Sequence, residues 1–199
     1  MKRILFMIMM ALLPAMLLAQ KAGGEVKRPQ KSGGVKRPQK KLSPEQMFNL
    51  GCDYEYARNG KTKNLVEAVK WYRMAANQGH SRAQYNLGLC YGDGKGVSHD
   101  DVQAVYWYRK SADQGFDWAQ LTLGYHYETG RGVGIDYGQA LYWYRRSAEQ
   151  GNSTAMNNIG NCYYNGNGVA KDHSQARYWW EKAAALGNQY AIGNLKLLN

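Results

Sequence analysis

Apolar positions along this chain recur in blocks, and the blocks themselves recur. Ala83, Leu87 and Tyr91 stand four residues apart, as do Ala119, Leu123 and Tyr127, and then Ala155, Ile159 and Tyr163. That spacing puts each trio on one face of a helix, here termed helix A. A second block follows each first one: Ala104, Trp107 and Tyr108, then Ala140, Trp143 and Tyr144, then Ala176, Trp179 and Trp180. It predicts a helix B with small residues for close approach and an aromatic pair to fill the layer between units. Trp71, Trp107, Trp143 and Trp179 are evenly spaced at 36 residues, as are Gly79, Gly115, Gly151 and Gly187. Two helices per 36-residue unit cannot bury their apolar faces alone, so the pattern predicts an all-α solenoid of stacked helix pairs.

The polar positions between the blocks are punctuation. Gly94-Lys95-Gly96-Val97, Gly130-Arg131-Gly132-Val133 and Gly166-Asn167-Gly168-Val169 end helix A and allow positive φ, with the valine plugging the seam. Asp100, Asp136 and Asp172 each precede a Gln by three residues, and Asn64 precedes Glu67, which predicts a reciprocal capping box at the start of each helix B. Inside helix A an apolar-Gly pair recurs at Leu50-Gly51, Leu87-Gly88, Leu123-Gly124 and Ile159-Gly160, marking a tight approach by a neighbouring helix. Ser43-Pro44-Glu45-Gln46 gives the first helix a cap, and Asn188 to Leu198 reads as one further helix A closing the far end.

Ahead of the repeats the pattern changes twice. Lys2 and Arg3 precede an apolar run from Ile4 to Leu18 and then Ala19, a signal-peptide pattern over residues 1–19. The run is interrupted by Pro14 and is shorter than the roughly 20 residues that cross a bilayer, so no stable membrane span is expected after cleavage. Residues 20–43 carry eight Lys or Arg and one acid, against 16 and 14 in residues 44–199, so most of the net charge of +11 belongs outside the repeats. Val26-Lys27-Arg28-Pro29-Gln30-Lys31 is repeated at Val35 to Lys40, with few large apolar side chains, which predicts a disordered basic linker. Two readings stay open for it: a solvated spacer, or an electrostatic tether to an anionic envelope surface. Nucleic acid is not an expected partner of an exported chain.

Candidate chemistry is absorbed by the repeat. The aspartates fall one per unit and act as caps, and the glycine turns follow helices and lack Gly-Lys-Ser/Thr, which argues against a phosphate loop. Cys90 and Cys162 hold equivalent positions two units apart, too far for a disulfide, with His126 in the same slot between them; they read as small buried packers and not as metal ligands. No Ser-His-Asp, Cys-His or zinc spacing emerges, so no catalytic, metal or cofactor-binding residue is assigned, and the chain is expected to be a non-enzyme.

The order Ala-x-x-Leu-Gly-x-x-Tyr, Gly-x-Gly-Val, Asp-x-x-x-Ala, Trp-Tyr and Ala-Ala/Ser-Ala-x-Gln-Gly resembles Sel1-like repeats, relatives of tetratricopeptide repeats, across residues 45–199. The first unit departs from it, with an extra residue before Trp71 and Asn59-Gly60-Lys61-Thr62 in the turn. The resemblance implies a right-handed αα solenoid, about four repeats over residues 44–199, that holds proteins or peptides on a concave surface lined by helix A, in the periplasm or outside the cell. The cysteine-rich members carry a disulfide in each repeat, which this chain lacks. By position the resemblance nominates Arg82, Asn86, Leu89, Trp118, Thr122, Tyr125, Glu128, Asn158, Asn161 and Tyr164 as partner-binding residues. Trp118 stands out because Arg82 and Thr154 occupy its register in the adjacent units, and it reads either as an interface anchor or as packing between repeats. A second aromatic series, Tyr106, Tyr142 and Tyr178, forms a ladder on helix B. It reads as an outer packing ridge or as a receptor for a sugar or peptide, which leaves an envelope glycan-binding module as the alternative function.

Overall fold

The computed structural model describes residues 41–198, and the leader and most of the basic linker anticipated above lie outside them. Among the described residues there are nine α-helices: α1 (Pro44–Tyr56), α2 (Leu65–Ala76), α3 (Ser81–Asp93), α4 (Asp101–Asp113), α5 (Asp117–Thr129), α6 (Tyr137–Ala148), α7 (Ser153–Asn165), α8 (His173–Ala185) and α9 (Gln189–Leu195). Odd-numbered helices are helix A and even-numbered ones helix B. Each packs chiefly on its neighbours in sequence, so the chain forms a stacked helical solenoid.

The expected caps form, with one difference. Asn64, Asp100, Asp136 and Asp172 accept from the backbone N–H three residues on, at 2.9–3.1 Å. Among the described residues the reciprocal bond is made only at Ser43 and Gln46. The reason is that the other cap residues already donate their backbone N–H to a tyrosine carbonyl near the end of the preceding helix A: Tyr54, Tyr91, Tyr127 and Tyr163, at 2.9–3.0 Å. These bonds close the turn between A and B, so the Glu or Gln side chain has no donor left to receive.

The apolar-Gly pair also works differently from the expected helix-on-helix approach. A Cβ on Gly51, Gly88, Gly124 or Gly160 would lie 2.4–2.7 Å from ring atoms of Tyr72, Tyr108, Tyr144 or Trp180. The glycine therefore opens a flat patch on helix A against which the aromatic ring of the same unit's helix B lies. In α9 the same register holds Lys196, and there the α-helix gives way to a single 3-10 turn, Lys196–Leu198. The second glycine of each turn serves the stack between units, because a Cβ on Gly96, Gly132 or Gly168 would meet a backbone carbonyl at the start of the preceding helix B at 2.1–2.4 Å.

Polar bonds repeat across the unit boundaries as well. Arg73 and Arg145 donate to the Tyr91 and Tyr163 hydroxyls at 2.9 and 3.0 Å, and Arg109 donates to Tyr127. Ser111 and Ser147 donate to the carbonyls of Ser81 and Asp117. Trp107 and Trp143 are buried, yet their indole N–H groups, like that of Trp71, find no acceptor among the described residues. Such a donor costs about 1 to 3 kcal/mol, so these tryptophans stabilise the stack by ring area and not by bonding. Cys90 and Cys162 are buried, Cys52 is half-buried, and all three are free thiols.

Candidate binding face

The nominated residues of helix A fall in one row along the helix face. The row steps by four and three residues, Arg82-Asn86-Leu89 in α3, Trp118-Thr122-Tyr125 in α5, and Thr154-Asn158-Asn161 in α7, which is the spacing of one helix face. Trp118 and Tyr125 are 48% and 45% exposed on the middle helix, with Thr122 half-buried between them. Arg82 is exposed and lays its guanidinium over the Phe48 ring at 4.8 Å, while Asn86 and Leu89 are half-buried beside α1.

The remaining nominated residues are drawn into the fold. Glu128 accepts from the Tyr144 hydroxyl at 2.5 Å. Burial first, and then this carboxylate, hold that phenol above its usual range. Glu55 does the same for Tyr72, at 2.5 Å. Gly92 holds the equivalent register in the second unit, and Tyr164 in the fourth, where its ring stacks on His173 at 5.0 Å and leans on Trp180. Asn161 accepts from the Trp180 indole and from Asn194 of α9, each at 3.1 Å, and Asn158 accepts from Asn157. Along the row Arg82, Trp118 and Tyr125 are exposed and Asn86, Leu89 and Thr122 half-buried, and α9 reaches it at Asn161.

On helix B the tyrosine ladder forms as a regular ridge. Tyr106, Tyr142 and Tyr178 are 47%, 46% and 45% exposed, and each meets the edge of the following tryptophan at 5.0–5.6 Å. Lys110, Arg146 and Lys182 reach over these rings at 5.0, 5.9 and 4.5 Å, so each ring already carries a cation. His126, in the slot between the two buried cysteines, is buried with its Nδ1 at 2.8 Å from the Arg131 carbonyl, and burial holds its pKa below the ordinary value. No group of three His, Cys, Asp or Glu among the described residues is placed to hold a metal ion. Sequence reasoning missed Glu55 and Asp93, which flank Asn86 and Leu89 beside α1; the mismatch of Glu55 with Gly92 in the repeat register was the available signal.

The Sel1 repeat family matches residues 44–80, 81–116, 119–152 and 153–188, and the chain belongs to it. A Sel1 repeat protein from Oxalobacter formigenes is 40% identical, with a TM-score of 0.75 over 77% of this chain and 61% of that one. A protective antigen of uropathogenic Escherichia coli strains is also 40% identical, with a TM-score of 0.74 over 77% of this chain and 32% of its own length. The rat DAP3-binding cell death enhancer 1 is 36% identical over 62 residues, 29% of this chain, and the match spans only 12% of that relative. Sel1 repeat proteins generally mediate protein–protein interaction, on a scaffold that is generally non-catalytic.

Proposed function

We propose that this chain is an exported scaffold that holds a peptide or protein segment on the concave side of the solenoid, along the open helix A row. The observation that carries the reading is the pair Trp118 and Tyr125, two rings about half exposed at helical spacing on the central helix A. They supply anchors, while Thr122 between them, and Asn86 in the same register on α3, offer the hydrogen-bonding groups that an extended main chain needs. Export rests on the leader pattern of residues 1–19, and places the chain in the periplasm or outside the cell. The basic segment 20–43 adds an electrostatic tether to an anionic envelope surface.

A photo-crosslinking residue at position 118 or 125, installed in the native envelope, tests the reading. Capture of one defined protein from position 118, where an aromatic crosslinker keeps a ring in place of the indole, and from position 125, retained after deletion of residues 20–43 and lost from position 125 when Trp118→Ala is added, is the expected result. Capture from position 142 instead, together with salt-sensitive pelleting on cell-wall polymer, would favour the glycan reading of the helix B ridge. That second reading has the three equally exposed tyrosines in its favour, but the cations seated over them cover part of the stacking surface a sugar would use.

A further inference from the structure

Between α1 and α3 the helix A face opens into a cleft of about 130 Å³, walled by Glu55, Asn86, Leu89, Cys90, Asp93 and Lys95, with Tyr56 at its rim. Sites for whole small molecules run from roughly 300 Å³ upward, so this one suits a single side chain. Its chemistry is one-sided. Glu55 is held in place by the Tyr72 hydroxyl on Oε2 at 2.5 Å, and the neighbouring Tyr56 phenol, half exposed, also faces this carboxylate. Asp93 binds Lys95 at 2.8 Å, with both side chains about half exposed (49% and 55%), a pair that opens at little cost. Lys95 pairs with Asp93 and also feels Glu55, so among the lining residues one exposed lysine stands against two carboxylates.

The backbone adds to that polarity. Glu55 lies in the last turn of α1 and Asp93 ends α3, so the cleft sits at two helix C-termini, whose dipoles favour positive charge. Neither last turn carries a basic residue, whereas those of α2, α4, α6 and α8 all do. The floor is apolar: Leu89 is half-buried, and Cys90 is 6% exposed with no disulfide or hydrogen-bond partner. Burial pushes its thiol up to about 12, so it stays neutral. A carboxylate tip above an aliphatic floor matches a long side chain with an apolar stem and a charged end. One unit on, Gly92 replaces Glu55, so this wall does not recur at the next boundary.

We infer that the cleft receives the lysine or arginine side chain of a peptide lying along the helix A row, with the stem on Leu89 and Cys90 and the charge between Glu55 and Asp93. This rests on the groove reading above and adds to it the residue class that is selected at the end nearest α1. The test is nuclear magnetic resonance titration of the isotope-labelled full chain with Nα-acetyl-lysine amide, Nα-acetyl-arginine amide and the uncharged Nα-acetyl-norleucine amide at low salt. The cationic amides are expected to shift the backbone amides of Tyr56, Leu89, Cys90 and Asp93. Their binding should weaken by about fivefold in Glu55→Gln, the equivalent of about 1 kcal/mol for one partly exposed ion pair, and fade as salt is raised. Asp93→Asn, which leaves the Tyr72–Glu55 bond untouched, should weaken it too. Equal binding of the norleucine amide, shifts centred elsewhere, or no shifts at all would overturn the assignment. None of those outcomes touches the crosslinking result at Trp118, so the two readings fail separately.

Discussion

Alanine in place of glycine should have opposite signs at two positions of this chain, and the structure sets both. In an exposed helix interior the change is worth about 1 kcal/mol in favour of alanine. At Gly193 in α9 a Cβ meets nothing within 4 Å and the backbone φ is not positive, so Gly193→Ala should keep most of that gain. At Gly124 the same methyl lies 2.7 Å from Cδ1 and Cε1 of Tyr144 and 3.1 Å from the Ala140 carbonyl oxygen. Tyr144 is fully buried and its hydroxyl is fixed on Glu128, so the ring cannot step aside. Overpacking costs about 1 to 3 kcal/mol, and losing the bond to the carboxylate about 1.5 to 3 more. Set against the helix gain, Gly124→Ala should destabilise by about 2 to 5 kcal/mol. At about 2 to 4 °C per kcal/mol for a chain of this size, the melting midpoint falls by roughly 4 to 20 °C. Thermal denaturation followed by far-ultraviolet circular dichroism reads both variants. A neutral or stabilising Gly124→Ala would refute the claim that these glycines exist for the aromatic ring.

Other outcomes follow from the same contacts. Gly92→Glu should raise stability by about 1 kcal/mol, because the new carboxylate stands where Glu55 and Glu128 bind Tyr72 and Tyr144, with the Tyr108 hydroxyl, 3.2 Å from the new Cβ, giving by a few tenths of an ångström to receive it; a lower melting midpoint would count against the repeated pair. Trp107→Ala, at a ring 8% exposed, should cost about 3 to 5 kcal/mol and broaden or split the melt, whereas Trp118→Ala should leave the melt within about 1 kcal/mol while abolishing partner capture. Thiol labelling at pH 8 should modify Cys52 first and Cys90 and Cys162 only on unfolding, since burial pushes the latter two up to about 12. The unfolded chain releases those protons near the ordinary value of 9.0 and the folded chain near 12, so stability should decline as pH rises between them. A flat profile there, or equal labelling of all three, would be inconsistent with that burial.

Local periodicity made most of the fold legible before any coordinates. The four-residue spacing of Ala83, Leu87 and Tyr91 and the register of Trp107 and Trp143 named the helices and their buried faces, because a solenoid repeats the same short-range contacts in each unit. The candidate site was legible only where it breaks the repeat. Trp118, which the sequence left as interface anchor or as packing between repeats, is about half exposed, as is Tyr125, but Glu128, Asn161 and Tyr164 turn to partners in their own unit or in α9. Sequence spacing gives a residue its place around the helix. It does not say which neighbour reaches that place first.

The sequence by itself therefore determined the element types, their order, their caps and the period of the stack, all of which depend on contacts within about 36 residues. Tertiary structure decided the rest. Only the packed helices show that Tyr144 fills the space Gly124 leaves, that a tyrosine carbonyl claims the cap N–H of each helix B, and that Glu55 and Asp93 face one cleft from different helices. The physical reason is common to all three. Each depends on the distance between groups on neighbouring helices, which is set by how side chains fill space and not by the period that aligns them.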